Sequence, residues 1–239
     1  MTGTDDPEAL ENAVRTLSRL LLDEETLEAT HGRVAGLACR TLPACDFASV
    51  TMITDGRPST PIQTEPLAAD LDAAQYRSQR GPCLEAYSRR TVVRGKISQN
   101  AERWPEFTAV AAQVGIQSVL AVPLVANDRP LGALNLYSKS DGGYDDADEE
   151  TALLFSEQAA VACANAEVYW RTYTLTEHLR EALESRDVIG QAKGILMARR
   201  GCTPEVAFEA LRKVSQQRNI KLRDIAEQVV YLGDLDESP

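Results

Sequence analysis

No apolar run in the 239-residue chain approaches the roughly 20 residues that a membrane span needs. The first residues, MTGTDDPEALENAV, are acidic and polar, so they do not read as a signal peptide and a cytoplasmic location is expected. Cys-x-x-Cys pairs are missing. The five cysteines, Cys39, Cys45, Cys83, Cys163 and Cys202, are odd in number and scattered, which argues against a disulfide framework or a zinc site. Histidine is scarce as well. His31 and His178 lie far apart in the chain, so a histidine-based metal centre is not expected. The chain has no Gly-x-Ser-x-Gly, no phosphate loop and no His-Glu-x-x-His. It therefore reads as something other than an enzyme. Cys83 falls near a helix start, a position that can make a thiol reactive. A packed thiol is the better reading of it.

Positive charge is in deficit overall, with 25 Lys and Arg against 36 Asp and Glu and a net charge of −11. Its distribution is uneven. Arg186 to Arg223 holds nine Lys or Arg and three acids, a local +6 that leaves −17 for the rest. A basic segment in an acidic chain is a footprint for an anionic partner.

Residues 8–41 carry apolar side chains at three- and four-residue spacing and read as helical, stopped by Pro43. FASVTMITDGRP reads as a strand and a turn at Asp55-Gly56. Leu67 to Gln79 reads as an amphipathic helix, broken by Gly81-Pro82, and a short helix starts at Cys83. TVVRGKI reads as a strand, and Trp104 to Val114 as a helix. QSVLAVPLVANDRPLGALNLYSK reads as a hairpin turning at Asn127-Asp128. Pro123 and Gly132 within it suggest edge or bulge positions. This half belongs to the α+β class, a largely antiparallel sheet with flanking helices.

The 46 residues from Tyr144 to Ile189 contain neither glycine nor proline, so a long connecting helix is expected from about Asp146 to about Arg200. The acids from Asp145 to Glu150 suit its N-terminus. Leu175, Leu179 and Ala182 form a short heptad-like seam broken at Arg186, which suggests a two-helix dimer contact. Gly201 stops the helix, and Thr203-Pro204-Glu205 starts the next. Ala207, Leu211 and Val214 mark its core line, with Phe208 placed on the same face. Leu222, Ile225, Ala226 and Val229 mark a third helix, completing a small all-α bundle.

Val188-Ile-Gly-Gln-Ala-Lys-Gly-Ile-Leu-Met197 is the unusual stretch. Val188, Ile189, Ala192, Ile195 and Leu196 form the buried stripe. Gly190, Lys193, Gly194 and Met197 fall on the other side, where each glycine costs about 1 kcal/mol against alanine. A cleared face beside a lysine suits close approach by a sugar–phosphate backbone. Close helix packing and a dimer contact are the other uses of such glycines.

RDVIGQAKGILM, then Ala207, Phe208 and Leu211, then Ser215, Asn219, Lys221, Leu222, Asp224, Ile225 and Ala226, resemble the ANTAR domain over residues 179–232. RGPCLEAYSRRTVV, SVLAVPLVANDRPLGALNLYS and FSEQAAVACANAEVY resemble a GAF sensor domain over residues 10–170. The organisation so implied is a flexible start (1–9), the GAF-like domain, a helical linker with coiled-coil character (171–185), the ANTAR bundle and a tail (233–239). The resemblance implies a homodimer that binds tandem stem-loops with six-nucleotide loops in leader transcripts, controlling termination or access to the ribosome-binding site. Arg186, Gly190, Gln191, Lys193, Gly194, Met197, Ser215, Arg218, Lys221 and Arg223 would meet the RNA. The dimer seam would be Leu175, Leu179 and Ala182. No cofactor is implied, and the sensor's small-molecule ligand stays open. A helix-turn-helix regulator of DNA and a thiol redox enzyme of the GAF type are the competing readings.

Overall fold

The computed structural model describes residues 7–19 and 26–235. Helix α1 (Pro7–Arg19) begins inside the segment expected to be flexible, while residues 1–6, 20–25 and 236–239 lie outside the described residues. Helix α2 (Leu27–Thr41) starts at Thr26, whose hydroxyl oxygen accepts the Ala29 amide at 3.1 Å. That satisfies one of the orphan donors of a helix start.

The chain divides into two compact units, Met1–Trp170 and Arg171–Pro239. The first holds a five-stranded antiparallel sheet in the order β2-β1-β5-β4-β3. Its strands are β1 (Phe47–Thr54), β2 (Arg57–Gln63), β3 (Val93–Lys96), β4 (Ser118–Ala126) and β5 (Arg129–Ser138). One face carries α1, α2 and the first part of α6 (Asp146–Arg200), with Leu17, Val34, Val50, Leu134 and Phe155 in the core. The other face carries α3 (Pro66–Ser78), α4 (Pro82–Arg89) and α5 (Pro105–Gln113), packed through Leu71, Trp104, Phe107 and Tyr137. Cover on both faces explains why β4 and β5 read as nearly continuous apolar runs rather than alternating ones.

Three local details follow from backbone chemistry. Asn127 and Asp128 both take positive φ, 50° and 59°, as a tight hairpin turn requires. Pro123 sits beyond the last residue of β4 that β3 reaches, since Val93 pairs with Ala121. Its missing N–H is thus absent where the strand edge is open. Gly132 lies in the interior strand β5, next to a register shift at Leu124/Val125, and an added Cβ would come within 1.8 Å of the Thr51 carbonyl oxygen. It is a close-approach glycine. Strand β2 adds to the sequence reading, which stopped at the turn ending in Arg57-Pro58 and assigned nothing from there to Leu67. Its two prolines are tolerated because β2 is an edge strand, paired to β1 alone and with a register shift between Val50 and Met52.

Helix α6 opens on a reciprocal cap. The Asp148 amide donates to Asp145 Oδ1 at 2.9 Å and the Asp145 amide donates to Asp148 Oδ2 at 3.0 Å. The acidic cluster is therefore a helix start. In the second unit, the end of α6 packs with α7 (Pro204–Arg218) and α8 (Leu222–Leu232). Thr203 caps α7, with Pro204 in its first turn. Asn219 ends it with φ 52°, and Gly233 ends α8 with φ 79°.

Candidate nucleic-acid interface

Ala192 and Leu196 are fully buried against Ala207, Leu211 and Val214 of α7 and Ile225, Ala226 and Val229 of α8. Val188, Ile189 and Ile195 pack partly on the same core. The stripe expected from the sequence is the core face. At about 100° per residue, Gly194 then points almost directly away from it. A Cβ added to Gly190 or Gly194 meets nothing within 4 Å, and neither has a left-handed backbone. Neither packing nor chain geometry within the described residues accounts for these glycines.

Lys193 stands on the flank of this cleared face that leads to α7. Its Nζ lies 5.9 Å from the centre of the Phe208 ring, within reach of a cation–π contact. Glu205 is held below the ordinary carboxylate range by its backbone and Thr203 hydrogen bonds first, and also by Lys193. Phe208 itself corrects the sequence reading. It is half-buried and stands outside the apolar cluster, because the core line of α7 runs through 207, 211 and 214. One residue on is about 100° around the helix. The pair Lys193–Phe208 is a feature that periodicity could have flagged and resemblance did not.

The remaining candidates divide. Arg186, Gly190 and Lys193, spaced by four and three, share one line of α6, and Arg186 is exposed. Lys221 is exposed at the start of α8. Arg218 is half-buried in the last turn of α7. Arg223 is partly neutralised, 2.9 Å from Glu227 and 4.0 Å from Glu184. That second contact sets the start of α8 beside α6, two residues before Arg186. Met197 packs partly on the core and lies about 60° around α6 from Gly194, on a flank of the cleared face. Gln191 is exposed, about 160° around α6 from Lys193 and about 60° from Gly194, on the other flank of the cleared face. The Ser215 hydroxyl donates to the Ile220 carbonyl at 2.6 Å and closes the α7–α8 turn. Leu175 and Leu179 are each 58% exposed, and Ala182 is exposed beside them.

The first unit offers a different polar centre. Asp72 is fully buried between α3 and the sheet. It accepts from Thr60 Oγ1 at 2.9 Å, Asn135 Nδ2 at 3.1 Å and Tyr137 Oη at 2.5 Å. Burial raises its pKa to about 6, against the pull of these hydrogen bonds. Cys83 is fully buried nearby and burial pushes its thiol up, which matches a packed thiol rather than a reactive one.

Comparison with known proteins bears on both units. A family model described as GAF domain matches residues 24–164, and one described as ANTAR domain matches residues 177–230. Among solved structures, the GAF domain of an Acinetobacter phosphoenolpyruvate-protein phosphotransferase is similar at 14% identity with a TM-score of 0.53, covering 70% of this chain and 97% of that one. The corresponding domain from Coxiella burnetii is similar at 15% identity and a TM-score of 0.53, covering 70% and 99%. Free methionine-R-sulfoxide reductase from Neisseria meningitidis, in complex with its substrate, is similar at 13% and 0.50, covering 71% and 96%. At these identities the likeness is one of fold. No curated protein matches the chain.

Proposed function

The chain belongs to the GAF domain family and carries an ANTAR domain behind its GAF domain, and on that premise we propose that it is an RNA-binding regulator whose GAF domain takes the input signal. ANTAR domains are RNA-binding modules of antitermination, and GAF domains are signal-sensing. The observation that carries the reading is the open face at Gly190 and Gly194, with Lys193 held over Phe208 on its flank. Backbone can approach a helix closely only where side chains are absent, and a lysine beside the gap supplies the phosphate contact. Phe208 adds an aromatic surface next to that lysine, the kind of group on which an unpaired loop base stacks. Arg186 extends the basic line along α6, and Lys221 adds charge from α8.

The RNA we propose is a tandem pair of stem-loops with six-nucleotide loops in a leader transcript. A homodimer joined through Leu175, Leu179 and Ala182 presents one module to each loop. Binding then favours one RNA fold over a terminator or over a helix that hides the ribosome-binding site. The test is a titration of a two-hairpin RNA with the full chain, with duplex DNA as competitor. Lys193→Ala combined with Lys221→Ala should weaken RNA binding by about tenfold or more, the worth of one charged hydrogen bond. Unchanged affinity would remove this surface from the reading. Stronger competition by duplex DNA than by unlabelled RNA would replace RNA with DNA as the target.

A further inference from the structure

Cys39 and Cys45 are six residues apart in sequence and look unrelated there. The structure brings their sulfurs to 2.9 Å. The cause is local. Leu42 caps the end of α2, and the Cys45 amide donates to the Leu42 carbonyl at 2.9 Å. That tight turn folds Cys45 back onto the last turns of α2, where Cys39 sits. Both side chains are half-buried, and both are free thiols. Cys163 and Cys83 are fully buried, and Cys202 lies in the other unit.

The two thiols are unlike. A hydrogen bond with Cys45 holds the Cys39 thiol below the ordinary cysteine range, helped by Thr64 and the positive charge of Arg40 against the opposing effect of burial. Cys45 is pushed up, by the same contact with Cys39 and by burial. Of the two, Cys39 gives up its proton the more readily and Cys45 holds its own. The Phe47 carbonyl, 3.3 Å from the Cys45 sulfur, is the alternative acceptor for that same proton. The buried Tyr144 hydroxyl, just before α6, faces the Cys45 sulfur.

We propose that Cys39 and Cys45 form a peroxide-reactive dithiol that closes to a disulfide within the GAF domain. The oxidant is a hydroperoxide. Cys39 thiolate attacks its terminal oxygen; the S–O bond forms as the O–O bond breaks, and the departing alkoxide or hydroxide takes a proton. Cys39 is now a sulfenic acid, oxidised by two electrons. Cys45 then attacks that sulfur. The S–S bond forms, the S–O bond breaks, and hydroxide leaves with the Cys45 proton as water. In sum, two thiols and one hydroperoxide give one disulfide, one alcohol or water, and one further water. The reaction is a stoichiometric modification, reversed by thiol exchange. Such pairing of a low-pKa thiol with a neighbouring resolving thiol is how a reversible redox site differs from an idle cysteine.

The full chain is exposed to hydrogen peroxide, its remaining thiols are blocked with a maleimide, and tryptic peptides are read by mass spectrometry. Trypsin cuts after Arg40, so the disulfide joins two separate peptides. The expected result is loss of two of the five free thiols, linkage of Cys39 to Cys45, and full recovery with dithiothreitol. Cys45→Ser removes the linkage and leaves Cys39 as a sulfenic acid that dimedone labels. The native-chain measurement stands even where that variant does not fold. The proposal is overturned where both cysteines stay maleimide-labelled at a dose that oxidises free glutathione. It is equally overturned where Cys39 goes to the sulfinic acid without a cross-link, or where the first disulfide formed joins Cys202 to another chain.

Discussion

Gly194 can be read through a contrast between two substitutions. Its Cβ position is empty, so alanine adds no clash and removes about 1 kcal/mol of helix cost. Gly194→Ala should therefore raise the melting temperature. Gly194→Leu should keep the bundle folded but block RNA binding, because its side chain fills the face that the RNA backbone would approach. Retained RNA affinity in a folded Gly194→Leu chain would mean that the cleared face is not a contact. Two buried titratable residues allow a second prediction, on pH. His31 is 2% exposed, and burial lowers its pKa from 6.5 to about 4. The unfolded chain takes up that proton first, so this stability is present above pH 6.5 and lost as pH falls towards 4. Asp72 acts in the opposite sense. Its pKa rises from 3.8 to about 6, so its stability is present below pH 3.8 and lost as pH rises through 6. Each shift corresponds to about 3 kcal/mol, and between pH 4 and 6 the two slopes largely cancel. Asp72→Asn should expose the histidine, so that thermal melts lose stability on acidification more steeply than the native chain. His31→Leu should do the reverse, with melting temperature falling as pH rises from 4 to 6. Parallel pH profiles for the native chain and both variants would rule this balance out.

At the scale of the element, α6 changes character along one line. Leu175, Leu179 and Ala182 give way at Arg186 to a charged position, and Lys193 follows at the same spacing. The apolar part is exposed, with Leu183 63% exposed beside it. If the seam joins two chains, Leu175→Lys with Leu179→Lys should yield a monomer by light scattering. Its affinity for a single hairpin should be retained, while the gain from a second hairpin disappears, because that gain rests on two linked modules. A variant that stays dimeric would place the contact elsewhere. The elements themselves were largely legible because α6, α7 and the β4–β5 hairpin obey periodicity, caps and turn chemistry together. Strand β2 was not, since Pro58 and Pro61 mask a strand that only its edge position makes tolerable. The Cys39–Cys45 pair was hidden for another reason. Its proximity comes from the turn at Leu42–Cys45, and spacing rules for thiols do not encode a turn. At the candidate interface, helical periodicity named Lys193 and Met197, and resemblance added Ser215 and Gln191. That the Ser215 hydroxyl already donates to the Ile220 carbonyl is not visible in a motif.

Over the whole molecule, charge is segregated by sequence: the stretch from Arg186 to Arg223 is +6 in a chain of net −11. RNA binding by such a chain should depend steeply on salt, because each neutralised phosphate releases counterions. For single-stranded loops the slope of log affinity against log salt is about 0.7 per contact. If Lys193 and Lys221 each meet a phosphate, the double alanine variant should show a slope shallower by about 1.4 than the native chain. Duplex DNA, which lacks splayed loop bases, should bind only through this salt-dependent part and fade first as salt rises towards physiological strength, where exposed charges more than about 8 Å apart are largely screened. Affinity lost without any change of slope would carry a different meaning. Lys193 would then act on a base or through its hold on Phe208, not on the backbone, and Phe208→Leu would be expected to reproduce the loss. A shallower slope together with an unaffected Phe208→Leu variant would assign the lysines to phosphate and leave the ring as support for Lys193.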